Sequence, residues 1–364
     1  MEKASKKILI EATPLLSSLT GIGRYIYEIS SRLDSYDECE CEFFYGYISK
    51  SLYAKKNSQL YQILRSKIIK KLLVASFNTK SIIDKKKYDT YWQPNFIPSL
   101  RVDAQKVVTT VHDFSFLNPK FHPTSKIMYY KKNFFNYIKR SHTIITGSNY
   151  TKNEILSHID IREDRVKVIY HGVNHSIFKP NIKNIPLSLP SKYILFTGSI
   201  EPRKNIITLI KAYTNLSSKL QEEYKLLLVG ASGWKNSEIF YHIKSKKNIF
   251  YIGYISDEEL AKVYSQAECF IYPSLYEGFG LPPLEAMACA TPVISSNTSS
   301  MPEVLQDAAL YFEPTNYKEL SQKIIELLSS KELKTKLISK GLKQAKKFNW
   351  DISAKKHKET LLDT

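Results

Sequence analysis

The sequence is poor in the features that mark secreted, membrane-spanning and metal-dependent proteins. It has only four cysteines among 364 residues, and their spacing fits neither a disulfide framework nor a metal site, so we expect reduced thiols. No apolar run reaches the roughly 18 residues that a transmembrane helix needs. The N-terminus also lacks the long apolar segment of a signal peptide. These absences favour a cytoplasmic protein without a membrane span.

Three catalytic signatures are absent as well. The chain contains no D-x-D, which would indicate a metal-bound diphosphate, and no G-x-x-x-x-G-K-[ST], which would indicate a P-loop NTPase. It has no G-x-S-x-G or other activated serine nucleophile. We therefore expect no metal and no resident cofactor.

Positive charge is abundant but unevenly distributed. The net charge is +18, and the 53 basic residues comprise 45 lysines and 8 arginines. This balance argues against nucleic acid as a partner, because phosphate recognition favours arginine and no aromatic-studded RNA motif is present. Residues 50–90 hold 11 basic and 2 acidic residues. A helix predicted over 67–77 is basic and amphipathic, so this region is either a surface for an anionic membrane or a solvated lysine-rich face.

Strands and helices alternate along the whole chain, and its length suggests about two domains. A polar stretch with Pro180, Pro186 and Pro190 separates two such series. Strands alternating with helices imply parallel sheets covered on both faces. We therefore predict an α/β protein of two Rossmann-like domains facing a cleft, over 1–180 and 181–347, with ligands beyond the carboxyl ends of the strands.

The most informative stretch runs from Tyr276 to Glu285 and follows a buried strand. Glu277 and Glu285 stand eight residues apart, at the two ends of a loop that contains Gly278, Phe279, Gly280 and Leu281. Glycine allows close approach of a ligand to the backbone, and prolines suit the first turn of the next helix. Such a loop favours a polyhydroxylated anion, such as a sugar joined to a nucleotide. The alternative is a simple junction whose acids cap the helix.

A second loop supplies positive charge. Gly198 ends the first strand of the second series, and Arg203 and Lys204 lie where the next helix begins. A departing diphosphate needs such charge, although a solvated basic pair in a surface turn is an equal alternative. In the first series, Gly21 and Gly23 follow the first strand, and His112 ends a later one.

These motifs together resemble the family-4-type retaining glycosyltransferases of the GT-B fold. Glu277 and Glu285 match the two acids of the family's E-x7-E signature, and the resemblance is greatest to bacterial surface-polysaccharide (O-antigen) mannosyltransferases. It covers nearly the whole chain, including a closing helix over 348–364 that packs back on the first domain. One departure is Ser199, where many relatives carry arginine.

The resemblance implies roles for these residues. Lys204 holds the donor diphosphate, Glu277 and the backbone of residues 278–281 hold the sugar, and Glu285 holds the ribose. The nucleobase packs near Tyr254 and Ile255, while His112 contacts the sugar or orients the acceptor. Gly21, Gly23, Gly198 and Arg203 complete the donor site, and the catalytic residues are His112, Lys204 and Glu277.

The resemblance also implies the substrates. It favours metal-independent, retaining transfer of mannose from GDP-mannose to a glycan, possibly linked to a polyprenyl diphosphate, at the inner face of the cell membrane. UDP-glucose, UDP-GlcNAc and dTDP-rhamnose remain open as donors. The alternatives in other classes are a non-catalytic subunit that binds sugar nucleotides and an epimerase of the same fold.

Overall fold

The structure is a computed structural model that describes residues 5–16, 21–53, 87–95, 102–122, 124–180 and 189–363. The predicted helix over 67–77 and most of the linker over 180–190 lie outside these residues. The chain divides into two compact units. Unit 1 comprises Met1–Leu117, Thr124–His171 and Trp350–Thr364, and unit 2 comprises Asn118–Pro123 and Gly172–Asn349.

Unit 1 is built on a seven-stranded sheet in the order β3-β2-β1-β4-β5-β6-β7. All neighbouring strands are parallel except β3, which pairs antiparallel with β2. The central strand β1 has three fully buried residues, Ile8, Leu9 and Ile10, as expected for a strand covered on both faces. The strands are β1 (Lys6–Glu11), β2 (Cys39–Phe44), β3 (Ile48–Ser49), β4 (Tyr88–Gln93), β5 (Ala104–Val111), β6 (Thr143–Thr146) and β7 (Val166–Val168). Within its described residues, the α-helices of unit 1 that precede unit 2's sheet are α1 (Gly21–Leu33), α2 (Thr124–Ile138) and α3 (Asn149–His158).

Unit 2 has a six-stranded, wholly parallel sheet in the order β10-β9-β8-β11-β12-β13. Its strands are β8 (Tyr193–Thr197), β9 (Lys225–Val229), β10 (Ile249–Tyr251), β11 (Cys269–Tyr272), β12 (Val293–Ser296) and β13 (Ala309–Phe312). Its helices are α4 (Ile206–Thr214), α5 (Ser218–Glu223), α6 (Ser237–Lys244), α7 (Asp257–Gln266), α8 (Leu281–Ala288), α9 (Met301–Leu305), α10 (Tyr317–Ser329) and α11 (Lys331–Ala345). The last helix, α12 (Trp350–Leu362), returns to unit 1.

Strand order determines where each sheet can hold a ligand. In unit 2 the connections run outward in one direction from β8 and in the other from β11, and these two strands are neighbours. In unit 1 the same reversal occurs between β1 and β4. Ligands of such sheets bind where the strand order reverses, beyond the carboxyl ends of the strands. The two loops that carry Lys204 and Glu277 follow β8 and β11, so they lie at this point of unit 2.

All four cysteines, Cys39, Cys41, Cys269 and Cys289, are unpaired and buried. Among the helices that the structure describes, none is both long and apolar enough to cross a bilayer.

Candidate active site

The first loop of the candidate site follows β8 and carries the predicted diphosphate cation. Gly198 leaves the strand at φ +148°, a backbone angle that favours glycine, and its N–H donates to the Val229 carbonyl at 2.9 Å. A 3-10 turn over Pro202–Lys204 follows. Asn205, in the left-handed region at φ 56°, then starts helix α4. The loop thus places Lys204 immediately before a helix, as the sequence predicted.

Lys204 is buried, and acceptors at the end of β11 hold its ammonium group. Nζ donates to Glu277 Oε1 at 2.6 Å and to the Tyr272 hydroxyl at 2.7 Å. It also lies 4.9 Å from the centroid of the Tyr272 ring, which adds a cation–π contact. An ammonium group carries three N–H donors. Within the described part of the chain, Glu277 and Tyr272 accept two of them.

The guanidinium group of Arg203 lies between two carboxylates. Nη1 is 2.9 Å from Glu277 Oε2, and Nη2 is 3.1 Å from Glu201 Oε1. Nη1 also donates to the Tyr276 carbonyl at 2.9 Å. These contacts hold the loop that carries Glu277. Whether Arg203 also replaces the arginine that relatives carry at the position of Ser199 stays a prediction.

Glu201, Lys204 and Glu277, which are buried, and Arg203, which is partly exposed, form a cluster without net charge, which we call the four-charge cluster. Burial is the largest single influence on the Glu277 carboxyl and acts to raise its pKa. Arg203, Lys204 and a hydrogen bond from Ser274 together outweigh it and lower the pKa to about 2. Burial lowers the pKa of Lys204, and Glu277 opposes that shift. The ionised pair prevails because Glu277 accepts a charge-assisted hydrogen bond from Lys204 and lies 2.9 Å from the Arg203 guanidinium.

Serines on both sides of β12's carboxyl end anchor the loop after β11. The Glu277 N–H donates to Ser299 Oγ at 2.9 Å, and Ser300 Oγ donates to the Glu277 carbonyl at 3.0 Å. Ser296 Oγ donates to the Ser274 carbonyl at 2.6 Å. The backbone position of Glu277 is therefore determined independently of its side-chain ion pairs.

Gly280 occupies a position that no other residue fits without strain. Its φ is +92°, and a Cβ atom there would lie 2.3 Å from Cε of Met301. Both features favour glycine. Gly280 caps helix α8, whose first residue is Leu281. Pro282 and Pro283 follow and carry no N–H, so Leu281 is the backbone donor in the first three positions of the helix.

Gly278 and Phe279 precede Gly280 in the same turn. Gly278 precedes Phe279, which is buried, and the Phe279 ring contacts Phe348 edge-on with centroids 5.6 Å apart. Residues 278–281 are thus held closely against the body of unit 2.

Glu285 lies on helix α8 and has different partners from Glu277. It is 3% exposed, and its Oε2 accepts a hydrogen bond from the Tyr264 hydroxyl at 3.4 Å. The Tyr264 hydroxyl is also 2.6 Å from Thr197 Oγ1. Thr197 is the last residue of β8, so Glu285 faces the same edge of the sheet. Glu277 therefore contacts the cationic side chains of Arg203 and Lys204, whereas Glu285 accepts a hydrogen bond from the Tyr264 hydroxyl.

The loop predicted to contact the nucleobase follows β10. The Gly253 carbonyl accepts the Gly230 N–H at 2.7 Å, which joins this loop to the end of β9. Tyr254 is 48% exposed, and Ile255 is half-buried. Both follow the carboxyl end of β10, and their contact with a nucleobase stays a prediction.

Gly21 and Gly23 lie in the first turn of α1 rather than in a loop before it, because the helix already begins at Gly21. A Cβ atom at Gly21 would meet nothing within 4 Å among the described residues. Gly23 is buried. Local sterics among the described residues therefore do not require glycine at Gly21, and residues 17–20 lie outside those residues.

His112 follows β5 in unit 1, and its ring is held in one orientation. Its Nε2 is 2.8 Å from the Pro94 carbonyl, and because a carbonyl only accepts, Nε2 carries a proton. Burial lowers the pKa of His112, and the Tyr25 ring lies edge-on at 5.1 Å between centroids. Asp113 accepts hydrogen bonds from the N–H and hydroxyl of Ser115.

A directed chain of hydrogen bonds lies behind His112. The Trp92 indole N–H donates to Thr110 Oγ1 at 3.1 Å, and Thr110 Oγ1 is 3.0 Å from the Tyr25 hydroxyl. The Tyr25 hydroxyl is 2.6 Å from His357 Nε2. Because His357 Nδ1 lies 2.7 Å from the Ser353 carbonyl, Nδ1 carries the proton and Nε2 accepts. Burial lowers the pKa of His357 to about 4. The ring is therefore neutral near pH 7, and its Nε2 can accept the hydrogen bond from Tyr25.

Sequence reasoning missed several residues that shape the site. Glu201 lies in the same segment as Arg203, but the sequence did not indicate the ion pair between their side chains. Tyr272 ends strand β11, a position that points to the ligand edge. Ser299 and Ser300 carried no signal, because their contacts with Glu277 join segments far apart in the sequence.

Comparisons with known proteins match the two halves of the chain separately. The family model "Glycosyltransferase Family 4" matches residues 19–177. The model "Glycosyl transferases group 1" matches residues 178–344. Together they cover every strand of the two sheets except β1 (Lys6–Glu11).

Relatives and solved structures agree with these matches. The O-antigen chain mannosyltransferase B of Escherichia coli is 32% identical over 371 residues, covering 95% of this chain and 96% of that protein. The O-antigen chain mannosyltransferase RfbU of Salmonella typhimurium is 33% identical over 217 residues, covering 57% of each.

Among solved structures, sucrose-phosphate synthase from Thermosynechococcus elongatus is similar with a TM-score of 0.76 at 20% identity, covering 98% of both chains. Anabaena HepE, solved in complex with UDP-glucose, has a TM-score of 0.72 at 16% identity and covers 99% of this chain and 100% of its own. At these identities the likeness concerns the fold. The chain belongs to the family-4-type glycosyltransferases of the GT-B fold and is similar to bacterial O-antigen mannosyltransferases.

Proposed function

We propose that this glycosyltransferase moves a hexose from a sugar nucleotide to a hydroxyl of a glycan acceptor, with retention at the anomeric carbon and without a metal ion. The observation that carries the proposal is the four-charge cluster beyond β8 and β11. There the buried ammonium group of Lys204 lies 2.6 Å from the ionised carboxylate of Glu277, beyond the carboxyl ends of two neighbouring strands. A sugar diphosphate presents both kinds of group, an anion and several hydroxyls.

Each residue of the donor site has a role in this proposal. Lys204 holds the diphosphate, and Arg203 positions Glu277. Glu277 and the backbone of residues 278–281 hold the sugar hydroxyls. Glu285, which already accepts from a tyrosine hydroxyl, holds the ribose. The remaining donor contacts within unit 2 come from Gly198, Tyr254 and Ile255.

The proposed reaction is a displacement on the face that the leaving group occupies. The bond from the anomeric carbon to the diphosphate oxygen breaks, and a bond to the acceptor oxygen forms. The acceptor proton passes to the departing diphosphate, so the products are the glycoside and the nucleoside diphosphate. Glu277 is not the general acid, because a pKa of about 2 keeps its carboxyl ionised. Lys204 stabilises the charge that develops on the leaving group.

The substrates are proposed from the relatives. Two of them are named O-antigen chain mannosyltransferases, which favours GDP-mannose as donor and surface-polysaccharide synthesis as the process. The acceptor is then a glycan, possibly carried on a polyprenyl diphosphate at the cytoplasmic face of the membrane. UDP-glucose, UDP-GlcNAc and dTDP-rhamnose are the competing donors. The basic 50–90 region, the first candidate for membrane contact, lies largely outside the described residues.

A donor screen tests the proposal. Thermal shifts with the GDP, UDP and dTDP sugars identify the donor, and NMR of the product identifies the sugar and its anomeric configuration. We expect the largest shift with GDP-mannose and a product that retains the donor's configuration. A protein that binds a sugar nucleotide but never consumes it with glycan acceptors would instead be a non-catalytic subunit.

Variants test the assignment of residues. We expect Lys204→Met, Glu277→Gln and Glu285→Gln to lower kcat/KM by about a hundredfold or more. The matched controls Lys219→Met and Glu238→Gln change exposed residues of the same unit and should retain wild-type turnover. If all three site variants retain near-wild-type turnover, the assignment is wrong.

A further inference from the structure

Tyr272 lies where three elements of the donor site in unit 2 meet. It is the last residue of β11 and is 1% exposed. Its hydroxyl accepts a hydrogen bond from Lys204 Nζ at 2.7 Å, and the same Nζ is 2.6 Å from Glu277 Oε1. A Cβ atom built at Gly280 would lie 3.9 Å from Tyr272 Cε1. The side chain of Tyr272 is therefore next to the loop after β8, the loop after β11 and the start of helix α8.

Tyr272 and Glu277 differ as acceptors for the Lys204 ammonium group. Tyr272 belongs to the sheet, where it pairs with Ser295 of β12, and its ring stacks on Phe270 with centroids 5.9 Å apart. Glu277 belongs to a loop, and its carboxylate also binds the sugar hydroxyls in the proposed function. Because a lysine side chain is long and flexible, an acceptor fixed by the sheet restricts where the ammonium group lies.

The Tyr272 hydroxyl holds Lys204 without cancelling its charge. Burial raises the pKa of this hydroxyl well above its usual range, and the charge of Glu277 raises it further. The phenol is therefore neutral at every pH at which the protein is folded and active. A neutral hydroxyl accepts a hydrogen bond from an ammonium group, whereas a second carboxylate would offset the charge that attracts a diphosphate.

We propose that Tyr272 is a positioning residue of the donor site, whose hydroxyl holds the Lys204 ammonium group where it meets the diphosphate of the sugar nucleotide. The inference rests on the proposed function, in which Lys204 binds that diphosphate. Tyr272 acts through Lys204 and not by touching the donor. Its hydroxyl should therefore strengthen diphosphate binding only while Lys204 is present.

Titration calorimetry tests the proposal. GDP, UDP and dTDP are each titrated into the wild type, and the one that binds most tightly is then titrated into every variant. Tyr272→Phe removes the hydroxyl and keeps the ring, and we expect it to weaken diphosphate binding by about tenfold. In a Lys204→Met background the same change should alter binding by less than about twofold, because the residue through which Tyr272 acts is gone.

Tyr193→Phe is the matched control in the same sheet. Tyr193 is also 1% exposed, and its hydroxyl donates to the Val263 carbonyl at 2.7 Å. It begins β8, whereas Tyr272 ends the neighbouring parallel strand, so Tyr193 lies at the end of the sheet away from the site. Each variant loses one buried hydroxyl, and urea denaturation shows that each is folded. Tyr193→Phe should bind the diphosphate as the wild type does.

The outcomes separate this inference from the proposed function. Equal affinity of Tyr272→Phe and the wild type overturns the inference, and so does an equal loss of affinity in Tyr193→Phe. A tenfold loss that persists in the Lys204→Met background also overturns it, because Tyr272 would then act without Lys204. These three results leave the proposed function intact. A wild type that binds none of the three nucleoside diphosphates would refute the proposed function and this inference with it.

Discussion

The four-charge cluster predicts that Lys204→Met and Glu277→Gln are each destabilising but compensate each other in the double variant. The pKa of Glu277 falls from 4.5 to about 2, which corresponds to about 3 kcal/mol of folding free energy. Because the folded pKa is depressed, this contribution is present above the unfolded pKa and is lost as the pH falls towards 2. Breaking a buried pair from one side costs about 3–5 kcal/mol, so we expect each single variant to lose about 3 kcal/mol.

Compensation follows from the charges that remain. Each single variant leaves the cluster with one unbalanced charge, whereas the double variant leaves Arg203 paired with Glu201 at 3.1 Å. We therefore expect the double variant to be at least about 2 kcal/mol more stable than the sum of the two changes predicts. Urea denaturation at neutral pH measures all four proteins. The exposed pair Lys192–Glu223, 2.7 Å apart, is the control, and its cycle should show far weaker coupling.

We expect the double variant to regain stability without regaining turnover. The double variant lacks the ammonium group and the carboxylate that hold the donor, so it should be as inactive as either single variant. If the free energies of unfolding lost in the two single variants simply add in the double variant, the proposed compensation within the four-charge cluster is wrong. Recovery of turnover along with stability would refute the proposed roles of Lys204 and Glu277.

Three further predictions concern other parts of the protein. Gly280→Ala should destabilise by about 2–4 kcal/mol, because a positive φ and contact with Met301 both oppose a side chain; an unchanged denaturation midpoint would contradict this. His357 has a depressed folded pKa, so stability should fall as the pH drops below its unfolded value. Between about pH 7.5 and about pH 5 the loss should be about 2 kcal/mol greater in the wild type than in His357→Gln, and equal pH profiles would contradict it. Ser199→Arg should lower the KM for the donor if Arg203 is fully engaged in positioning Glu277, and an unchanged KM would show that Arg203 already supplies that charge.

The parallel sheets were largely predictable because their strands read as short apolar runs that end in glycine or polar residues. Helices α7 and α10 are readable from the sequence, since each combines apolar spacing with a clear capping residue, Ser256 and Asn316. Strand β4 was missed. Its sequence carries Tyr88, Thr90 and Gln93, which are polar yet buried. Their hydrogen-bond partners lie far away in the sequence. For example, Thr90 Oγ1 donates to the Leu361 carbonyl at 2.7 Å.

The candidate site was predictable to a similar extent. Lys204 and Glu277 were identified because each lies in a compact motif after a strand. Their pairing was not identified, because 73 residues separate them and only the neighbouring positions of β8 and β11 bring them together. The series of hydrogen bonds that joins Trp92, Thr110, Tyr25 and His357 was not predicted, for the same reason. Its members come from four elements, and no local pattern predicts hydrogen bonds between them.

The central claim is that Lys204 holds the diphosphate of a sugar nucleotide. Calorimetric titration of GDP into the wild type and Lys204→Met tests it most directly, with Lys219→Met as the control. The account predicts at least about tenfold weaker binding of GDP by Lys204→Met, and unchanged binding by the control. Equal affinity of Lys204→Met and wild type for GDP would contradict the claim.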